Sequence, residues 1–202
     1  MRNGLMKSVS GIRGIVGESL TPELILKVSA AFARYCRYGT VVVGRDSRIT
    51  GEAIAGMTES ALALHGCEVV DLGIVPTPTV QVMVEHLGAA GGIVVSASHN
   101  PIEWNAFKLI GKTGTFLGQK EIGNFFVLME REHRSKKWNS TGRIVSRTDA
   151  AKIHIERALK PIDVESIVRR HFRVALDSVN GAGSIITQAL LLRLGCEIRP
   201  VH

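Results

Sequence analysis

The chain has 202 residues, 45% hydrophobic and 21% charged, with a formal net charge of +7. That is the composition of an ordinary globular protein, long enough for one α/β domain and part of another. It contains no run of about 18 apolar residues, which argues against a transmembrane helix, and the opening "MRNGLMKSVSG" carries Arg2 and Lys7 without the apolar stretch of a secretory leader.

Helical and strand patterns alternate along the chain. Thr21-Pro22-Glu23 supplies an N-cap, a first-turn proline and a first-turn acid, and Leu24, Val28, Phe32 and Tyr35 then recur on one helical face. Gly39 ends that pattern, and "TVVVG" (40–44) reads as a buried strand. After the polar turn "RDSRITG" a second helix is predicted from about Glu52 to His65, closed by Gly66. "CEVVDLG" reads as a strand, "TPTVQVMVEHLG" as a helix entered through proline, and "GGIVVS" as the next strand. "AFKLIG" is a further strand, and "GQKEIGNFFVLMERE" places Ile122, Phe125, Phe126 and Met129 on one helical face. The polar stretch "HRSKKWNSTGR" is the best candidate for a boundary, and a helical segment from about Asp149 to Leu159 precedes Pro161. "FRVALDSVNGAGS" then reads as strand, turn and helix start, followed by "IITQALLLRLG" and the strand-like "CEIRPV".

The expected fold class is therefore α/β: a mixed, mainly parallel sheet between helices, followed by an incomplete second domain of similar type. The expected division is 1–145 for the first domain and 146–202 for a linker helix and the start of the second. Cys36, Cys67 and Cys196 form no C-x-x-C pair, so neither a zinc site nor a disulfide framework is indicated, and buried thiols in a reducing cytoplasm are expected. The positive charge favours anionic partners. Basic residues are scattered, apart from "RSKK" (134–137) and "VRRHF" (168–172), and aromatic residues are only 5% of the chain. Such a surface offers little for stacking bases, so the expected partner is a phosphorylated small molecule, with no nucleic acid and no membrane.

Three phosphate-site resemblances compete. "AFKLIGKT" (106–113) nearly matches G-x-x-x-x-G-K-[ST], but Ala106 takes the first glycine position and a turn, not a helix, follows. "NGAGSII" (180–186) follows a strand, as a dinucleotide-binding turn should, but Ile186 replaces the third glycine. The third stretch, "VVSASHNP" (94–101), would be delivered to the carboxyl edge of the sheet, where open α/β folds bind ligands. Ser98 is thus a candidate nucleophile. A serine-hydrolase reading of Ser98 and His99 is poor, because neighbouring side chains in an extended segment diverge and no G-x-S-x-G elbow is present.

"SASHNP", with Asn105 and Lys108 behind it, resembles the phosphoserine loop of the α-D-phosphohexomutases, which include phosphomannomutase/phosphoglucomutase and phosphoglucosamine mutase. "SVSGIRGIVG" (8–17), "VVVGRDSR" (41–48) and "VALDSVNGAGS" (174–184) are similar to further segments of that family, in family order. Ser96, Trp104 and Ala106 depart from the residues common there, and none of them removes a reacting group. The resemblance implies the domain 1 fold of that family and interconversion of hexose 1- and 6-phosphates through a phosphoserine at Ser98 and a sugar bisphosphate. It further implies that Arg13, in a flexible "SGIRG" turn, steadies the transferring phosphoryl, and that Lys108 serves as acid/base or electrostatic support. His99 and Asn100 would orient the loop, and the substrate would be a phosphorylated hexose.

The family also binds Mg²⁺ through a D-G-D-x-D-R loop, with the phosphate on the serine as a further ligand. Asp46, Asp71, Asp149, Asp163 and Asp177 never fall two apart, so that loop is not found, and the expectation is an N-terminal fragment inactive by itself. The alternative is a non-catalytic phosphate-ligand or nucleotide-binding domain using "NGAGS". Taken without the resemblance, Arg13 could simply cap a carboxylate, and Arg45, Asp46 and Arg48 read as a structural ion-pair cluster.

Overall fold

The computed structural model describes residues 4–201, so Arg2 of the N-terminal reading lies outside the described residues. Strands β1 (Met6–Ser8) and β2 (Gly11–Ile15) form a hairpin and lead into helix α1 (Pro22–Tyr35). Thr21 caps that helix, its Oγ1 accepting the Leu24 N–H at 3.5 Å. Then come β3 (Val41–Arg45), α2 (Gly51–Leu64), β4 (Val69–Ile74), α3 (Thr77–His86) and β5 (Gly91–Val95), in the strand–helix alternation the sequence predicts. β6 (Trp104–Gly111), α4 (Gln119–Met129), a 3₁₀ turn at Trp138–Ser140 and β7 (Ile144–Ser146) follow.

Among the described residues these seven strands form one sheet in the order β1-β2-β6-β5-β3-β4-β7. β5, β3, β4 and β7 are parallel, while β6 returns antiparallel to β5 and β2 antiparallel to β6. The sheet is thus mixed, with a parallel centre and an antiparallel wing. Its two faces follow from the period of 2 along a strand. Val41, Val43, Ile93, Val95, Phe107 and Leu109 face α1, α2 and α4, while Val42, Val94 and Ile110 face α3 and α5 (Ala150–Leu159). On the first face the rings of Phe32 and Phe125 meet edge to face at 6.2 Å between centroids. Phe126 was expected on the same apolar face of α4 as Ile122, Phe125 and Met129. Those three are buried, but Phe126, one helical step of about 100° from Phe125, is only half-buried and lies under the Lys7 ammonium.

The polar stretch 133–143 is not a break between units. Lys136 N–H donates to Leu64 O at 2.9 Å and Gly142 N–H to Ala63 O at 2.8 Å, so the stretch crosses the end of α2 and delivers β7 to the sheet beside β4. Ser146, the last residue of β7, lies one residue beyond the expected division at 145. α5 packs on α3, with a hydrogen bond of 2.8 Å between Thr79 Oγ1 and His154 Nδ1. A short helix, α6 (Val164–Val168), leads to β8 (Arg173–Leu176), α7 (Ser184–Arg193) and β9 (Glu197–Pro200), which make a separate two-stranded parallel sheet with its crossover helix. All three cysteines are free and buried; burial pushes the Cys36 thiol up, and that of Cys67 to about 12. Among the described residues no helix is long and apolar enough to cross a membrane.

Candidate active site

β5 is buried along its whole length and points its carboxyl end at the edge where the chain must surface. Ser96 N–H extends the ladder by donating to Ala106 O at 2.9 Å, and Ser96 Oγ then accepts the Ser98 N–H at 3.2 Å. Asn100 N–H donates to Ala97 O at 3.1 Å and closes a turn. Inside that turn Ser98 has φ 57°, a left-handed conformation that is uncommon for a residue with a Cβ, and its side chain is exposed. The segment is therefore not extended, and the expected divergence of Ser98 and His99 does not hold. Ser98 Oγ and His99 Nδ1 lie 3.4 Å apart, at the long limit of a hydrogen bond.

Arg13 lies not in a flexible turn but on strand β2, paired with Ala106 of β6. Gly11 makes this possible, since a Cβ there would lie 1.9 Å from Phe107 O. Arg13 does not cap a carboxylate in this arrangement: its Nη1 donates to Asn100 Oδ1 at 2.7 Å. Lys108, paired with Val94, shares a face of β6 with Ala106, so the two cations lie on adjacent strands and the same side of the sheet. Lys108 Nζ donates to Thr77 Oγ1 at 3.4 Å. Burial lowers the Lys108 ammonium from the ordinary lysine value; the Asp46 carboxylate opposes this and the Arg13 charge adds to it. Asn105 is fully buried and serves as a pin, its Nδ2 donating to Thr50 Oγ1 at 3.1 Å and its Oδ1 accepting Ala106 N–H at 2.8 Å.

The reading of Arg45, Asp46 and Arg48 as an ion-pair cluster is only partly met. Arg45 reaches Glu52 at 3.6 Å, and Arg48 Nε lies 3.3 Å from Asp46 Oδ2. The rest of the Arg48 guanidinium, however, is spent on the Ser98 loop, donating to the carbonyls of Ser98 (2.9 Å), Asn100 (2.6 Å), Pro101 (2.6 Å) and Trp104 (3.1 Å). Sequence reasoning did not assign this residue to the site. The signal was present, because "VVVGRDSR" leaves a strand adjacent to "GGIVV" at the same sheet edge.

Ser98 opens on a cleft of about 570 Å³. One wall consists of Asp46, Arg48, Ser96 and Asn100; the other is the turn of the second unit at Val179, Gly181 and Ala182. "NGAGS" therefore faces the serine across a shared cleft. Arg13 and Lys108 do not line this cleft themselves; Arg13 reaches it through its bond to Asn100, and Lys108 is bonded to Thr77. The arrangement does not make a Mg²⁺ site: no group of three or more His, Cys, Asp or Glu side chains able to hold a metal exists among the described residues. The carboxylate on the cleft wall, Asp46, is engaged by the Arg48 side chain and by the Arg48 N–H at 3.1 Å.

A family model described as phosphoglucomutase/phosphomannomutase, alpha/beta/alpha domain I, matches residues 5–135. The chain belongs to the phosphoglucomutase/phosphomannomutase family. A phosphoglucomutase/phosphomannomutase of Thermococcus kodakarensis is 40% identical over 206 residues, covering 98% of this chain and 45% of the relative. A phosphoglucosamine/phosphogalactosamine mutase of Sulfurisphaera tokodaii is 33% identical over 202 residues, covering 98% of this chain and 44% of the relative. The crystal structure of a phosphoglucomutase/phosphomannomutase family protein from Burkholderia thailandensis superposes with a TM-score of 0.78 at 27% identity, over 97% of this chain and 44% of the other. The chain thus spans less than half the length of the relatives it matches. The separate nucleotide-binding reading of "NGAGS" is not favoured.

Proposed function

We propose that Ser98 is the phosphoryl carrier of a phosphohexomutase acting on a phosphorylated hexose. The observation that carries this reading is the presentation of Ser98 at φ 57° on the mouth of the cleft, with Lys108 on the neighbouring strand β6 and Arg13 one strand further, bonded to Asn100 of the same loop. A phosphoserine brings about −1.5 to −2 charges, and transfer of its phosphoryl group depends on positioning and charge stabilisation. In the first transfer the bond between phosphorus and the serine oxygen breaks as a bond from phosphorus to a sugar hydroxyl oxygen forms. The hydroxyl proton passes to a base, a role open to the unprotonated fraction of Lys108, and is returned from it to the freed serine oxygen, so no proton is gained or lost overall. Returning the other phosphate of the bisphosphate to Ser98 completes exchange between the 1- and 6-positions. Arg13, held by Asn100, would steady the charge of the moving phosphoryl, and His99 would support the turn. Lowering of the Lys108 ammonium supports its role, because it raises the fraction able to accept a proton.

Residues 1–145 make the serine-bearing domain in this reading, and 146–202 a linker helix and the opening of a second domain. Mg²⁺, the family's cation, would need carboxylates other than those described, so this chain by itself should not interconvert phosphohexoses at mutase rates. Intact-mass and phosphopeptide analysis of the chain, as isolated and after incubation with glucose 1,6-bisphosphate and Mg²⁺, tests the carrier role. One phosphate on Ser98, absent from Ser98→Ala, is expected. Phosphate on another residue, or none under either condition, would overturn the assignment.

A further inference from the structure

We infer that Arg48 is the positioning residue of the phosphoserine loop: its guanidinium gathers the carbonyls of Ser98, Asn100, Pro101 and Trp104 and so fixes the left-handed turn that points Ser98 into the cleft. The inference rests on Ser98 being the phosphoryl carrier, but the geometry it concerns can be measured without any transfer.

A guanidinium carries its N–H donors in a rigid planar fork, and here the four on Nη1 and Nη2 each meet a carbonyl, while Nε makes only an ion-pair contact. Nη1 takes Pro101 O at 2.6 Å and Trp104 O at 3.1 Å. Nη2 takes Ser98 O at 2.9 Å and Asn100 O at 2.6 Å. Nε faces Asp46 Oδ2 at 3.3 Å. Carbonyl dipoles that converge on one point repel one another, so without a cation at their focus the turn would open. A left-handed residue with a side chain persists only where its surroundings over-determine it, and the bond to Ser98 O acts directly on the backbone of that residue.

The clamp itself is anchored. Asp46 N–H donates to Val95 O at 3.0 Å, tying the end of β3 to the end of β5, and Asp46 Oδ1 accepts the Arg48 N–H at 3.1 Å. The Arg48 side chain is 13% exposed and approaches the loop through its carbonyls, leaving Ser98 Oγ to the cleft. Lysine keeps the charge but not the fork, so it cannot span all four carbonyls.

Amide hydrogen exchange on the full 202-residue chain reads this out at Ser98, Asn100 and Trp104, whose N–H groups bond within the loop. Arg48→Ala is expected to speed exchange at these three amides by roughly tenfold or more, with Ile93 and Val95 of β5 unchanged. Millimolar guanidinium should restore their protection and methylammonium should not. Arg48→Lys should also lose protection, and it decides the matter if the alanine variant does not fold. Unchanged loop exchange in Arg48→Lys or Arg48→Ala would overturn the inference, as would acceleration of loop and β5 alike without rescue. Absence of phosphate on Ser98 in the unsubstituted chain would instead refute the carrier reading and leave the exchange result standing.

Discussion

Replacing Gly11 with alanine tests how β2 is seated against β6, and with it the placement of Arg13 two residues on. Gly11 has φ +108°, and a Cβ built on it would lie 1.9 Å from Phe107 O and 3.0 Å from Phe107 C. The obstacle is strand backbone, so the neighbour cannot rotate away and the two strands must separate by more than about 1 Å, given ordinary contact distances. Backbone strain for a residue with a Cβ costs about 1–3 kcal/mol, and one or two weakened ladder hydrogen bonds add about 0.5–1.5 kcal/mol each. Reduced freedom of the unfolded chain returns about 0.4–1 kcal/mol. The net expectation is a loss of about 2–4 kcal/mol, or roughly 4–16 °C in Tm for a chain of this size. Gly17→Ala is the matched control, since Gly17 has φ +84° but nothing within 4 Å of its added Cβ; strain alone predicts a loss of about 0.5–2 kcal/mol there. Urea denaturation followed by circular dichroism measures both. Losses within about 0.5 kcal/mol of each other would refute the argument that the approach of β2 to β6, rather than φ alone, requires Gly11.

Two further expectations concern the core and the pH response. Phe32→Ala removes a fully buried ring that touches both Tyr35 and Phe125, and should cost about 3–5 kcal/mol in the same denaturation experiment; a loss below about 1 kcal/mol would show that this face of the sheet repacks freely. Glu59, on α2, is raised from 4.5 to about 7 by burial, then by the charge of Asp71 and a hydrogen bond to it, against the lowering effect of Arg45. Between those values the folded chain holds a proton that the unfolded chain releases. The contribution of Glu59 to stability should therefore be fully present below 4.5 and be lost as pH rises through about 7, a change of about 1–2 kcal/mol once solvent screening of this partly exposed group is allowed for. Glu59→Gln should flatten that decline, and an unchanged slope in the variant would exclude Glu59 as its source.

The centre of the fold was legible because its signals are local. β-branched triplets such as Val41–Val43 and the Gly and Pro punctuation around them define strand and helix starts without tertiary context. The antiparallel wing was less legible: "SGIRG" looks like a flexible turn by composition, and only the close approach of Gly11 to Phe107 shows why glycine belongs in a strand there. Polar composition at 133–143 reports exposure, not connectivity, and three exposed residues at β7 leave no period to read. At the site, the types of Ser98, Asn100, Arg13 and Lys108 stood out from motif order. What sequence could not supply was conformation. The extended geometry assumed for Ser98 and His99 gives way to a turn, and the stabiliser of that turn, Arg48, lies 50 residues away in sequence from Ser98.

The cleft in front of Ser98 has walls of unequal durability. One rests on a seven-stranded sheet packed on both faces, the other on two strands and a helix, α7, none of whose residues is fully buried. Opening free energy scales with buried apolar contact, so the two walls belong to different cooperative units. Within these 202 residues the aim of the serine is therefore set by the sheet-bearing unit, independently of how firmly the turn at Val179–Ala182 is held.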